Sequence, residues 1–378
     1  MSTTRRAGQI IQRGERTFLV RVYLGRDPET GKRDYHNKTI HGTKKDAQAY
    51  LNQILRDKDM GTYVQPSNMI LDQFLDQWLE TAAKPRVRER TLASYEEILG
   101  LYIRPELGRL PLANITPLKI QTIYGELLER GLSPRTVRYA HSVLRMALEQ
   151  AVKWQMLSQN PSQHVDLPRQ KKEEMRTLSP REARQFLDST AFSRYGTLFE
   201  LLLTTGLRPG EALGLKWPDV DWEKGRLTIQ RVLVYGRGFE APKTPRARRT
   251  IPLPASTMQS LQEHRIRQAE ERLQAGSNWE HHDLIFTAHN GQPIDHRNLV
   301  RRHFKPLLEH ANLPQELRLY DLRHTCATLL LSAGENPKIV SERLGHASIT
   351  LTLDTYSHVL PDMQEGAAAK LEKLLYDS

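Results

Sequence analysis

The sequence contains an ordered series of basic residues that ends in a tyrosine. The basic residues are Arg208 in Thr-Gly-Leu-Arg-Pro-Gly-Glu, Lys243 in Pro-Lys-Thr, Arg323 in Tyr-Asp-Leu-Arg-His-Thr and His346 in Leu-Gly-His. Tyr356 stands ten residues after the histidine. Guanidinium groups fit the oxygens of a phosphodiester, and a tyrosine hydroxyl can attack its phosphorus. The series therefore indicates nucleophilic chemistry on a phosphodiester whose charge the basic residues neutralise.

Each of these residues has an ordinary explanation when it is taken alone. A single arginine such as Arg208 is usually a surface residue, and a single histidine is usually structural. A tyrosine whose pKa is near ~10 is a poor nucleophile at neutral pH. We expect Arg208 and Arg323 to favour the phenolate of Tyr356 and so to lower its pKa. The order and combination of the motifs, rather than any one of them, predict the site.

In this order the motifs resemble those of the tyrosine recombinase (phage integrase) family. The resemblance implies that Tyr356 attacks a DNA phosphate and leaves a 3′-phosphotyrosine and a free 5′-hydroxyl. It implies that Arg208, Arg323 and His346 bind the phosphate during the reaction. We expect neither a metal nor a cofactor, because the covalent intermediate retains the energy of the broken bond.

Basic residues cluster around the expected general acid. The resemblance assigns Lys243 as the acid that protonates the departing 5′-oxygen. Arg246, Arg248 and Arg249 follow closely. We expect these arginines to contact phosphates or solvent, and we predict Arg246 and Arg248 as DNA-binding residues.

Tyr320 is the one departure from the family pattern, which usually has a histidine at this position. A tyrosine can hydrogen-bond the phosphate or position Arg323, but it cannot act as a base near neutral pH. His324 follows the arginine directly, and we expect it to point elsewhere on its helix. Glu211, one helical turn from Arg208, either orients that arginine or is a helix-surface carboxylate.

The segment that must position these residues is predicted as a mixed α+β catalytic domain over residues 175–378. The predicted elements are a helix that opens at residues 179–180, an apolar helix through 201–205, and strands at 226–235 and 249–253. The two strands flank the loop that presents Lys243. A short amphipathic helix at 367–375 either docks on a neighbouring protomer, which we favour, or packs on its own domain.

Residues 69–165 are predicted as a four-helix bundle that resembles the family's core-binding domain. Apolar residues recur at helical spacing along four segments, and the predicted caps are Thr91, Thr116-Pro117 and Ser133-Pro134. The polar faces carry Arg135 and Arg138, which we predict to bind DNA.

Residues 1–62 are predicted as a small sheet with one helix capped by Thr43. This pattern resembles the three-stranded arm-site DNA-binding domain of integrases from phages and conjugative transposons. Alternation places Phe18, Val20 and Val22 on one side of a strand, and Arg21 and Tyr23 on the other. We predict that Arg21 and Tyr23 contact DNA, with an ordinary exposed strand face as the alternative.

The composition limits the class of protein. The net charge is +11, and residues 1–62 contribute +6 of it, from 13 lysines and arginines minus 7 acidic residues. A basic excess of this size indicates a polyanionic partner. We find no run of about 18 apolar residues, so we expect no membrane contact and a location in the bacterial cytosol, associated with the nucleoid. The connector residues Lys171 and Lys172 either follow a phosphate backbone or are solvated.

The sequence therefore predicts a multidomain, mainly α-helical protein with small β-sheets. Its expected function is site-specific DNA recombination, as the integrase and excisionase of a mobile element. The expected partners are double-stranded DNA with core-type and arm-type sites, three further protomers in a homotetramer on DNA, and a small accessory directionality protein. A type IB topoisomerase-like enzyme and a non-catalytic DNA-binding regulator on a recombinase scaffold are the alternatives.

Overall fold

The computed structural model describes residues 8–26, 31–60, 63, 68–170, 175–234, 236, 238–242, 245–356, 371–372 and 375–376. The chain divides into two compact units, Met1–Lys172 and Glu173–Ser378. Lys171, Lys172, Lys243 and most of the helix predicted at 367–375 lie outside the described residues. Within the described ranges, no helix has both the length and the apolar character needed to cross a membrane.

The first unit begins with the predicted three-stranded sheet. Its strands are β1 (Gly8–Gly14), β2 (Thr17–Arg26) and β3 (Arg33–His41), all antiparallel in the order β1-β2-β3, and helix α1 (Lys44–Asp59) follows. Phe18, Val20 and Val22 are buried against α1, because alternate residues of a strand share one face. Arg21 is exposed on the opposite face. Thr43 caps α1 in a reciprocal capping box, as predicted.

The rest of the first unit is helical. Its helices are α2 (Leu71–Trp78), α3 (Glu89–Tyr102), α4 (Arg104–Leu107), α5 (Pro117–Glu129) and α6 (Pro134–Lys153), with a π-helical turn at Leu79–Ala83. Their apolar stripes meet in a single hydrophobic cluster. Thr116 and Ser133 cap α5 and α6 as predicted. The predicted cap at Thr91 is wrong, because α3 already begins at Glu89 after the extended residue Arg88.

The second unit combines helices with two small sheets. Its helices are α7 (Pro180–Thr190), α8 (Gly196–Thr205), α9 (Pro209–Leu213), α10 (Ala255–Ala275), α11 (His296–Leu299), α12 (Lys305–His310), α13 (Asp321–Ser332), α14 (Pro337–Leu344) and α15 (Ile349–Tyr356). Its strands are β4 (Val220–Asp221), β5 (Arg226–Ile229), β6 (Val232–Val234), β7 (Gly238–Glu240) and β8 (Arg249–Pro252). The predicted mixed α+β architecture is confirmed.

The strand predicted at residues 226–235 is wrong in one respect, because it divides into β5 and β6. β5 pairs with β4 and β8, whereas β6 pairs with β7 in a separate hairpin. Between them, Arg231 donates hydrogen bonds to the buried carboxylate of Asp219 and to the carbonyl of Gly214. These bonds anchor the junction between β5 and β6.

Helix α8 lies in the main core of the second unit, because most of its residues are buried and five of them are leucine or phenylalanine. Helix α13 packs against α8, and α14 packs against both α13 and α15. These four helices form the framework that positions the candidate active site.

Candidate active site

Arg208 is positioned by a sharp turn between two helices. Gly206 ends α8 in the left-handed conformation at φ 68°, and Pro209 begins α9. A Cβ at Gly206 would lie 2.5 Å from Cδ2 of Leu344 on α14, so another residue here would need both an unfavourable left-handed backbone and a shift of that leucine. Arg208 itself is extended, and its side chain is 35% exposed. The turn therefore leaves the guanidinium accessible.

The carboxylate of Glu211 fixes the position of this arginine. Its side chain is 1% exposed, so it is not a helix-surface carboxylate. One oxygen accepts a hydrogen bond from Nη1 of Arg208 at 2.7 Å, and the other accepts from Nη2 of Arg249 at 3.0 Å. Burial opposes ionisation, but the guanidinium groups of Arg249 and Arg208 outweigh it and lower the pKa of Glu211. The carboxylate is therefore ionised and fixes both arginines.

Arg249 is a site residue that sequence reasoning missed. Its side chain is 8% exposed, so it does not face solvent. Besides Glu211, it donates to the carbonyl of Arg343 at 2.6 Å and to that of Ala247 at 3.1 Å. These bonds tie β8 to the end of α14. The pairing depends on residues far apart in sequence, and no local motif signals it.

Arg323 lies on α13 and is 1% exposed. Its Nη1 donates to the carbonyl of Gly206 at 2.7 Å. Its Nη2 is buried and has no hydrogen-bond partner in the described part of the chain. Burial and the nearby charge of Arg208 lower the pKa of Arg323 to about 10, so it stays charged at neutral pH. An unsatisfied buried donor of this kind favours an anionic ligand, because leaving it unpaired is costly.

His346 follows Gly345, which ends α14 in the left-handed conformation at φ 67°. The imidazole is 8% exposed, and its Nδ1 lies 2.7 Å from Oγ1 of Thr352. Burial, together with the charges of Arg323 and Arg208, lowers the pKa of His346 to about 4. The ring is therefore neutral at neutral pH, and the two arginines act on it electrostatically.

Tyr356 ends α15 and is 1% exposed. It packs in a small hydrophobic cluster with Ala327, Leu331, Val340 and Leu344. The expectation of a lowered pKa is wrong for this structure, because burial raises the pKa of Tyr356 and the opposing charge of Arg323 is too weak to reverse the shift. The hydroxyl is therefore protonated at neutral pH.

The expectation that His324 points away from the site is also wrong. Its Nδ1 lies 2.8 Å from Oη of Tyr356. Helices α13 and α15 both pack against α14, and this arrangement brings the residue after Arg323 to the tyrosine. Tyr320 is 39% exposed and lies edge-on to His324, with 5.2 Å between ring centroids. The Arg323-His324 pair of α13 is visible in the sequence, but only the position of α15 shows that His324 contacts the tyrosine.

The candidate DNA-binding residues of the second unit lie on the segment before β8. Arg246 is exposed but donates a hydrogen bond from Nη1 to the carbonyl of Ala347, so it links this segment to the turn after His346. Arg248 is exposed.

The candidates of the first unit occupy two surfaces. On the sheet, Nε of Arg21 donates to Oδ1 of Asn37 at 3.1 Å, and its guanidinium lies 4.7 Å from the ring centre of Tyr35. Tyr23 also contacts Tyr35, with 5.4 Å between ring centroids. On α6, Arg135 is exposed, whereas Nη1 of Arg138 donates to the carbonyl of Pro168 at 3.2 Å. Because Arg138 is engaged by this carbonyl, Arg135 is the more accessible of the two.

Comparison with protein families supports the motifs in both units. Residues 176–363 match the Phage integrase family, and residues 70–128 match the Phage integrase, N-terminal SAM-like domain. The Tyrosine recombinase XerC-like protein of Caldanaerobacter subterraneus subsp. tengcongensis is 33% identical, covering 96% of this chain and 98% of that one. The ICEBs1 integrase of Bacillus subtilis is 25% identical, covering 95% of this chain and 97% of that one.

The fold is also that of solved integrase structures. The Tn1549 transposon integrase in complex with a circular intermediate DNA matches with a TM-score of 0.69 at 23% identity, covering 80% of this chain and 99% of that one. A lambda integrase dimer bound to a core site matches with a TM-score of 0.57 at 19% identity, covering 94% and 95%. The identity to the Caldanaerobacter recombinase over nearly the whole chain, together with the family match, decides the class. The chain belongs to the phage integrase family and is a site-specific DNA recombinase of the tyrosine type.

Proposed function

We propose that the chain is the integrase and excisionase of a mobile element, and that Tyr356 is its nucleophile. The observation that carries this proposal is that Arg323, whose buried Nη2 has no partner among the described residues, lies near enough to act electrostatically on the buried hydroxyl of Tyr356. The names of two similar proteins, the ICEBs1 integrase and the Tn1549 transposon integrase, support the link to a mobile element.

The charge of the site suits a phosphodiester. Arg208, Arg249 and Arg323, taken together with the carboxylate of Glu211, carry an excess of two positive charges. Nε, Nη1 and Nη2 of Arg249 all donate to groups of the chain, whereas Arg208 is 35% exposed and Nη2 of Arg323 has no partner among the described residues. The guanidinium groups of Arg208 and Arg323 are therefore the ones that bind the non-bridging oxygens. Charge that develops on these oxygens during attack strengthens both contacts, and this is how such groups lower a barrier.

The remaining roles follow from chemistry. His346, neutral and fixed by Thr352, hydrogen-bonds the phosphate. Lys243 protonates the 5′-oxygen as it leaves, and the 5′-hydroxyl of a partner strand returns that proton when it attacks the phosphotyrosine. Tyr320, half-exposed beside His324, positions the phosphate or the neighbouring arginine.

We assign a different type of DNA site to each part of the chain. Residues 1–62 bind arm-type sites through Arg21 and Tyr23, and residues 69–165 bind core-type sites with the catalytic domain at 175–378. Four protomers assemble on paired core sites, with the segment at 367–375 docking between them, and an accessory directionality protein selects excision. The protein acts on nucleoid DNA in the bacterial cytoplasm.

Purified protein is expected to recombine two core sites without ATP or divalent metal. The core sites are taken from the direct repeats that bound the element, and EDTA is present throughout. Electrophoresis measures recombinant product, and sedimentation of the same mixture measures the mass of the DNA complex. Relaxation of supercoiled DNA that lacks a core site would instead support a topoisomerase. A complex with fewer than four protomers would contradict the assembly.

Deletion of residues 1–62 is expected to spare cleavage at core sites and to remove binding at arm sites. The reason is that this segment carries +6 of the net charge and presents Arg21 on an exposed sheet face. The logarithm of the binding constant falls linearly with the logarithm of the salt concentration. The magnitude of this slope should decrease by about one unit for every phosphate that the shortened protein no longer neutralises. Footprinting of the whole attachment region provides the measurement. Protection outside the core site that survives the deletion would contradict the assignment.

A further inference from the structure

His324 lies where the chemistry of the site needs a proton acceptor. Its Nδ1 is 2.8 Å from Oη of Tyr356. We propose that His324 accepts the proton of Tyr356 during DNA cleavage and returns it when the strand is rejoined. This inference rests on the proposed role of Tyr356 as the nucleophile, and it assigns a catalytic function to a histidine that the motifs alone leave unused.

The burial of Tyr356 is the first support. The side chain is 1% exposed, so bulk water is a poor acceptor for its proton. A phenol that attacks phosphorus must lose this proton, and a positioned base within hydrogen-bond distance can receive it. The separation of Nδ1 and Oη lies in the range of a normal hydrogen bond.

The neighbouring titratable side chains are poorer candidates. Tyr320 bears a phenol, which cannot accept a proton near neutral pH. His346 already has Nδ1 against Thr352, and burial together with the surrounding arginines holds its pKa at about 4. Tyr320 and His324 are four residues apart and share one face of the chain entering α13. His324, the proposed base, therefore lies one helical turn beyond Tyr320 on the same face.

The environment of His324 suits an acceptor that becomes charged only during the reaction. Burial lowers its pKa, so the resting ring is neutral and Nδ1 accepts when Nε2 carries the hydrogen. Arg323 and Arg318 add to this shift, whereas the buried carboxylate of Asp321 opposes it and favours the imidazolium once it forms. The groups that surround the ring are Asp321, Arg323 and Arg318 on its own segment, Tyr320 beside it, and Tyr356 and His346 from the segments packed nearby.

The ring is also held in a fixed orientation. Its centroid lies 5.2 Å from that of Tyr320 and 5.8 Å from that of Tyr356, so the imidazole packs against two phenol rings. A fixed acceptor costs little reorganisation during the reaction.

The proposed step conserves atoms and charge. The O–H bond of Tyr356 breaks and its proton moves to Nδ1 of His324, while the phenol oxygen bonds to phosphorus. The bond from phosphorus to the 5′-oxygen breaks, and that oxygen takes a proton from Lys243. In rejoining, a 5′-hydroxyl gives its proton to Lys243 and attacks phosphorus, and His324 returns its proton to the departing phenol oxygen.

The test is His324→Asn, because the asparagine amide keeps a hydrogen-bonding atom near the position of Nδ1 but cannot accept a proton. Single-turnover cleavage of a nicked core site is measured from pH 5 to 9, with His310→Asn, an exposed position, as the matched control. We expect cleavage at pH 7 to fall by about a hundredfold or more. The wild-type rate should decrease as pH falls below the ordinary histidine pKa of 6.5, because the pKa of His324 is lowered. Above that pH the wild-type rate should level off, whereas the rate of the variant, which depends on free phenolate, should keep rising up to pH 9.

A structural role for His324 predicts a different pattern. A wild-type rate in the variant, or a deficit of equal size at every pH, would overturn the proposal. Melting temperature and core-site binding are measured alongside, and His324→Gln replaces His324→Asn if the latter does not fold. A wild-type profile without the acid limb would overturn the proposal with no variant at all. Failure of the wild-type protein to form any covalent adduct would refute the nucleophile itself, which is a separate result.

Discussion

Tyr356→Phe is expected to abolish covalent attachment to DNA while leaving core-site binding nearly unchanged. The substitution removes one oxygen from a side chain whose ring packs among Ala327, Leu331, Val340 and Leu344. The packing of the ring is therefore preserved, and only the hydrogen bond to His324 is removed, at a cost of about 1 kcal/mol in the free energy of unfolding. Without the hydroxyl there is no nucleophile, so adduct should fall below detection. A core site nicked beside the scissile phosphate traps the adduct on a denaturing gel.

Tyr195→Phe is the matched control. Tyr195 is also buried in the second unit, and its hydroxyl lies 3.4 Å from the carbonyl of Thr287, away from the candidate site. This variant should trap adduct at the wild-type level. If Tyr356→Phe formed as much adduct as the control, the nucleophile would have to be another residue.

Glu211→Gln is expected to destabilise the catalytic unit and to reduce cleavage together. The neutral amide leaves the buried guanidinium of Arg249 and the anchored side chain of Arg208 without a counter-charge. Removal of one partner of a buried ion pair costs about 3–5 kcal/mol in the free energy of unfolding. Because Arg208 is then no longer held in a fixed orientation, we expect cleavage to fall by about a hundredfold at a temperature where the variant is folded. Urea unfolding and single-turnover cleavage provide the two measurements.

The pH dependence of this effect has a definite sign. The pKa of Glu211 is lowered in the folded protein from its ordinary value of 4.5. The stabilisation is therefore fully present above pH 4.5 and disappears as the pH falls through the lower, folded pKa. The stability difference between wild type and Glu211→Gln should shrink in that acid range.

Glu271→Gln separates stability from function. Glu271 pairs with Arg194 at 2.5 Å in the same unit but outside the site. This control should be somewhat less stable than wild type and keep wild-type cleavage. An equal decrease of cleavage in both variants would mean that the effect of Glu211 is only one of stability.

The sequence by itself determined the family, the element types and the caps of several helices. These features depend on short-range rules, because proline after a serine or threonine cap favours the first turn of a helix, as at Thr116, Ser133 and Ser179, and an alternating strand has one apolar face. The burial of Phe18, Val20 and Val22 follows directly from that alternation. The order of motifs from Arg208 to Tyr356 was equally readable, since each motif is a contiguous run.

Only the tertiary structure decided which contacts position the site residues and which protonation state Tyr356 has. Arg249 and Glu211 are separated by 38 residues, so their ion pair exists only because the tertiary structure brings Arg249 of β8 to Glu211 of α9. The raised pKa of Tyr356 depends on burial by helices from distant parts of the unit, which outweighs the charge that the sequence suggested. The meeting of His324 with Tyr356 across 32 residues has the same origin. Local spacing specifies which face a side chain occupies, whereas only packing specifies what that face contacts.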